Sequence, residues 1–120
     1  MTTIQNQNDQ RWRPVLRAEE LGADELRSVS IDGIDILLVR SGNAVIACPP
    51  FCPHQEEELE DTGMCSDGVL TCTKHLWQWI LPGGEPTGDA ERPLLIYPTK
   101  TVDEVIYVLV EGELRYPHHP

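Results

Sequence analysis

Four side chains stand out as able to do chemistry together: Cys52, His54, Cys72 and His75. The first two form Cys-x-His in "CPHQ" and the last two form Cys-x-x-His in "CTKH", with seventeen residues, 55 to 71, between the pairs. A thiolate and an imidazole from each of two loops make a four-donor metal site. Pro53 stiffens the first pair, and Gly63, Gly68, Gly83 and Gly84 let the neighbouring chain fold back closely. The stretch between the pairs reads as a flexible, charged loop containing "EEELED".

The spacing narrows the metal. A zinc finger groups cysteine with cysteine and histidine with histidine, across a helix. Here each loop mixes the two, so a zinc-stapled interaction domain is the lesser reading. An all-thiolate iron–sulfur site would need Cys48, Cys52, Cys65 and Cys72 and would idle both histidines, at spacings unlike the ferredoxin runs. Cys48 at a strand end and Cys65 in the loop are read as ordinary thiols, and His118 and His119 as exposed terminal residues.

The mixed pattern resembles the Rieske family, in which one iron of a 2Fe–2S cluster takes two cysteines and the other two histidines. The resemblance runs from about Trp12 to about Leu109. "CPHQ" followed by "GVLTCTKHLW" is similar to the Rieske ferredoxins of multicomponent toluene and alkene monooxygenases. It implies one 2Fe–2S cluster per chain, held by Cys52, His54, Cys72 and His75. It also implies a flavin-containing, NAD(P)H-dependent reductase as donor and a di-iron hydroxylase as acceptor. The ferredoxin of a ring-hydroxylating dioxygenase or nitrite reductase system is the alternative. High-potential members carry a disulfide between the cluster loops and Ser and Tyr hydroxyls near the sulfurs. This chain has Lys74, Trp77 and Trp79 at those places. The implied potential is therefore at the bottom of the Rieske range of about −150 to +300 mV, and a midpoint well above 0 mV contradicts it. In that family the histidine edge faces solvent. Trp77 and Trp79 are expected to pack beneath the loops, with Trp77 partly exposed toward a partner.

The rest of the chain must position those loops. Its 120 residues bound one domain with a modest core. Ten prolines and nine glycines point to a turn-rich all-β chain. Strands are expected at 26–31, 34–39 and 44–48, joined by hairpin turns at Asp32–Gly33 and at "SGN". "RWRPVL" reads as extended and "RAEELGADEL" as one helical turn or a loop. A short β run at 69–71, "LWQWI", "LLIYPTKT" and "DEVIYVLVEGEL" supply the remaining strands, and "LPGGEPTGDAERP" is a long loop. The expected architecture is all-β, an antiparallel β-sandwich or barrel of Rieske type. A loop-rich cluster-binding subdomain is inserted at about 47–86. Residues 1–11 form a polar tail and 12–120 the single domain.

The net charge of −11 argues against nucleic acid and favours a basic or neutral protein surface. The acidic run after His54 is either a solvated stretch or a docking patch beside the electron exit. There is no membrane-length apolar run and no apolar leader, so a cytoplasmic, monomeric shuttle is expected. No hydrolase triad, phosphate loop or mononuclear iron site is visible, so the chain is expected to carry electrons and not to catalyse alone.

Overall fold

The structure is a computed structural model that describes residues 11–53 and 58–116. His54, Glu56, Glu57, His118, His119 and the tail at 1–10 lie outside the described residues.

The β-rich runs pair as their patterns dictate. Strands β2 (Leu26–Ile31), β3 (Ile34–Ser41) and β4 (Ala44–Cys48) form an antiparallel meander in that order. The β2–β3 turn uses Asp32 and Gly33, both at positive φ, and the β3–β4 turn places Gly42 at φ 61. Positive φ at these positions matches the right-handed twist of the flanking strands, as hairpin turns require. A second sheet has the order β1–β10–β9, from β1 (Trp12–Arg17), β10 (Val105–Leu109) and β9 (Thr99–Val102). Pro14 is tolerated because β1 is an edge strand, and its register with β10 shifts between Pro14 and Leu16. The two sheets meet where the Tyr97 N–H donates to the Ala47 carbonyl at 2.8 Å.

A third antiparallel sheet holds β5 (Gly63–Ser66), β6 (Val69–Cys72), β7 (Trp77–Ile80) and β8 (Glu85–Thr87) in sequence order. Two features of this sheet differ from the sequence expectation. Cys65 sits in β5, not in a loop. The Gly/Pro stretch after β7 contributes β8 before it becomes irregular. The missed signal is "SDG": Asp67 and Gly68 both take positive φ and close the β5–β6 hairpin. The acidic stretch also has structure, because Leu59–Thr62 forms a helical turn, α1, that buries Leu59 completely.

Two cores result, with β3 and β4 between them. Side chains alternate faces along a strand. Ile36 and Leu38 therefore enter one core with Leu21, Ala47, Tyr97, Ile106 and Val108. Leu37 and Val39 enter the other with Cys48, Leu59, Leu70, Trp79 and Leu94. This explains why β3 carries four consecutive buried apolar residues instead of an alternating pattern. The second core is the floor on which the chemistry-bearing loops rest.

Candidate metal centre

Each sequence-predicted donor can be placed except His54. Cys52 follows β4 in a loop closed at its base, where Phe51 and Glu58 form an antiparallel bridge and the Leu59 N–H donates to the Pro50 carbonyl at 2.8 Å. Cys72 ends β6, and the Leu76 N–H returns to its carbonyl at 2.8 Å, so 72–76 is a single closed turn. Both thiols are fully buried in the second core, whereas His75 is exposed. Among the described residues no three His, Cys, Asp or Glu side chains gather closely enough to hold a metal ion, the quartet's fourth member lying outside them.

The two loops are tied to each other through α1. The Thr73 N–H and hydroxyl both donate to the Thr62 carbonyl, at 2.8 and 2.7 Å. The Thr62 hydroxyl donates to the Glu58 carbonyl at 3.1 Å and lies 3.8 Å from the Cys72 sulfur. Sequence reasoning missed this hydroxyl–sulfur contact because Thr62 and Cys72 become neighbours only through the α1–β5 fold. That fold needs Gly63: a Cβ there would stand 2.5 Å from the Leu59 carbonyl oxygen.

The other two cysteines behave differently. Burial pushes the Cys48 thiol up to about 12. Burial, reinforced by the Asp24 carboxylate, pushes Cys65 up to about 11, and its thiol donates toward Asp24 at 3.7 Å. Both sit as neutral thiols in the metal-free fold near pH 7.

Trp79 is fully buried, its indole N–H donating to the Arg92 carbonyl at 2.9 Å. Trp77 packs edge-on against it and is also buried, at 7% exposure. The expectation that Trp77 is partly exposed toward a partner is therefore corrected: as the first residue of β7 it points into the core. Leu76 takes the outer position, 65% exposed and at φ 61. Phe51, next to Cys52, is exposed as well.

The donor set fits a cluster with unlike ends. Two loops each supply one buried sulfur donor, and one of them supplies an imidazole on the solvent side.

Residues 11–98 match the Rieske [2Fe-2S] domain, and the chain belongs to that family. It is 36% identical over 105 residues to the methanesulfonate monooxygenase ferredoxin subunit of Methylosulfonomonas methylovora, covering 88% of this chain and 85% of that protein. It is 30% identical over 94 residues to the ferredoxin component of the alkene monooxygenase system of Xanthobacter autotrophicus strain ATCC BAA-1158 / Py2, covering 78% and 77%. The ferredoxin of carbazole 1,9a-dioxygenase from Nocardioides aromaticivorans IC177 shares the fold, with a TM-score of 0.72 at 23% identity, covering 81% of this chain and 95% of that one. The chain is thus a Rieske ferredoxin of an oxygenase system, an electron carrier whose cofactor is a Rieske-type 2Fe–2S cluster. Among the described residues no helix is long and apolar enough to cross a membrane.

Proposed function

We propose that the chain takes single electrons from an NAD(P)H-dependent flavin reductase in the cytoplasm. It delivers them, as a monomer, to the di-iron hydroxylase of a hydrocarbon monooxygenase. Cys52 and Cys72 hold one iron, and His54 and His75 hold the other. The observation that carries this reading is the division of the site: both sulfur donors are sealed in the core and His75 is open to solvent. When bound, the cluster supplies a site that gains and loses one electron at a time.

The protein's own residues do the rest. The core around Cys52 and Cys72 excludes water from the sulfur side. The exposed His75 offers the short route by which an electron leaves. Glu58, Glu60 and Asp61 are exposed beside the ligand loops and attract basic surfaces, with rates that fall as salt rises. Glu60 also has a structural role, its carboxylate accepting the Ser28 N–H at 3.1 Å. The chain acts as one component of the oxygenase and not alone. Its potential lies at the low end of the range because Trp77 and Trp79 replace hydroxyl donors, while the Thr62 hydroxyl, 3.8 Å from the Cys72 sulfur, gives its proton to the Glu58 carbonyl.

A second reading keeps the carrier and changes the acceptor. Its support is the 36% identity to a ferredoxin of a methanesulfonate monooxygenase, which makes a sulfonate-oxidising component an acceptor worth assaying.

The test of the ligand assignment is His75→Cys. The loaded parent gives, on reduction, an EPR spectrum of low average g. The variant is expected to shift toward the all-thiolate type with a lower midpoint. An unaltered spectrum removes His75 from the ligand set. Separate assays with hydrocarbon- and sulfonate-oxidising components then decide the acceptor by which one turns over.

A further inference from the structure

The backbone of residues 92–95 passes behind the first ligand loop and is fastened at three places. The Arg92 carbonyl accepts the indole N–H of buried Trp79 at 2.9 Å. The Leu94 N–H donates to the Gly84 carbonyl at 2.9 Å. Gly84 is required there, since it has φ 82 and a Cβ would stand 2.8 Å from the Leu94 carbonyl oxygen. The Leu95 N–H donates to the Tyr116 hydroxyl at 3.0 Å, bringing in the C-terminal segment beyond the family-matched residues. From this fixed backbone the Arg92 side chain reaches forward, and its Nη1 donates to the Pro53 carbonyl at 3.3 Å.

That carbonyl belongs to Pro53, the residue directly after Cys52, so the bond anchors the first ligand loop there. Proline has no N–H, and its carbonyl is its only backbone hydrogen-bonding group.

Arg92 and Arg40 share a charge environment unlike that of the other described arginines. Arg11, Arg13, Arg17, Arg27 and Arg115 all pair with carboxylates. Arg40 spends its fork on the carbonyls of Leu21 and Ala18. Among the described residues no salt bridge neutralises Arg92, in a chain with twenty acidic residues against nine basic ones. A cation beside a centre that gains an electron favours the reduced state.

We propose that Arg92 is a positioning residue for the cluster: its guanidinium holds the peptide between Cys52 and His54 and sets a positive charge beside the redox centre. This rests on the reading of Cys52 and His54 as ligands.

The experiment compares the loaded parent with Arg92→Gln and Arg92→Lys. Three quantities are read: the midpoint potential, the EPR spectrum of the reduced state, and the rate at which a chelator strips the iron. Arg92→Gln is expected to lower the midpoint and to lose its cluster several-fold faster. Arg92→Lys keeps the charge without the planar fork. It is expected to hold a midpoint close to the parent's while still losing the cluster faster. An Arg92→Gln protein with the parent's midpoint and spectrum overturns the proposal. If Arg92→Gln does not load, Arg92→Lys decides: faster loss to the chelator supports the proposal, and parent-like resistance overturns it. A parent without the Rieske signal would instead sink the ligand reading, an outcome recognisable before any variant is made.

Discussion

The two cores share β3 and β4 as a wall yet are finished by different means. One is closed by aliphatic side chains and Tyr97 alone. The other contains all four cysteines, Trp77 and Trp79, and its outer boundary is made of short loops held by hydrogen bonds from Thr62, Thr73 and Arg92. The first is a base that the chain completes by itself. The second is a floor on which the loops carrying Cys52, Cys72 and His75 rest. The difference explains how one small chain supports a site of unlike halves: rigidity comes from the strands of the wall, and ligand placement comes from loops pinned to them.

The largest effects follow from attacking each side separately. Cys72→Ser is expected to abolish cluster binding, seen as loss of iron, labile sulfide and visible absorption, while the circular dichroism of the β1–β4 and β9–β10 sheets persists. Leu38→Ala, in the aliphatic core, is expected to cost about 2–5 kcal/mol of stability and to leave the visible spectrum of the folded fraction unchanged. Should Cys72→Ser melt the whole chain, the base is not self-sufficient and the division into two halves fails.

A smaller effect separates the cores by pH. Cys48 is raised from 9.0 to about 12 by burial, and Cys65 to about 11. In the folded chain these thiols keep their protons where the unfolded chain has released them. Stability contributed by each is complete below pH 9 and falls as pH rises through the window up to the folded value. The slope for one thiol reaches about 1.4 kcal/mol per pH unit. Denaturant unfolding between pH 9 and 11 is expected to show a shallower decline in Cys48→Ala than in the parent, whatever the absolute stability of the variant. An identical slope means that Cys48 is not held neutral in the fold.

The legibility of the molecule in its sequence divides along the same line. Strands β2, β3 and β4 were readable because β-branched runs and two turn signals fixed them locally. The candidate donors Cys52, His54, Cys72 and His75 stand out in the sequence by type and spacing. What was not readable depends on chain segments meeting at a distance. The Thr62 hydroxyl meets the Cys72 sulfur only because α1 folds onto β5 and β6. Arg92 meets Pro53 across thirty-nine positions. Trp77 was misjudged as partly exposed because alternation in "LWQWI" shows that residues face opposite ways and leaves open which way. A one-residue change of phase separates a buried Trp77 and exposed Leu76 from the reverse.

The smallest expected effect concerns Leu76, which sits on the outer side of the second ligand loop. A leucine at φ 61 is in the left-handed region, where a Cβ costs roughly 1–2 kcal/mol. Glycine would remove that cost but add about 0.5–1 kcal/mol of chain entropy. On stability alone Leu76→Gly is therefore expected to be neutral or stabilising by up to about 1 kcal/mol. The fold gains nothing visible from a leucine that is 65% exposed there, directly after His75. If electrons leave by the exposed His75, as proposed, an apolar side chain at this strained, solvent-facing neighbour is best used by contact with a partner. Leu76→Gly is thus expected to raise or preserve the melting temperature while slowing electron delivery to the oxygenase, with the midpoint potential unchanged. A variant that both melts lower and delivers electrons at the parent's rate would assign the leucine to the fold, and would leave His75 and the acidic helix to make the docking surface without it.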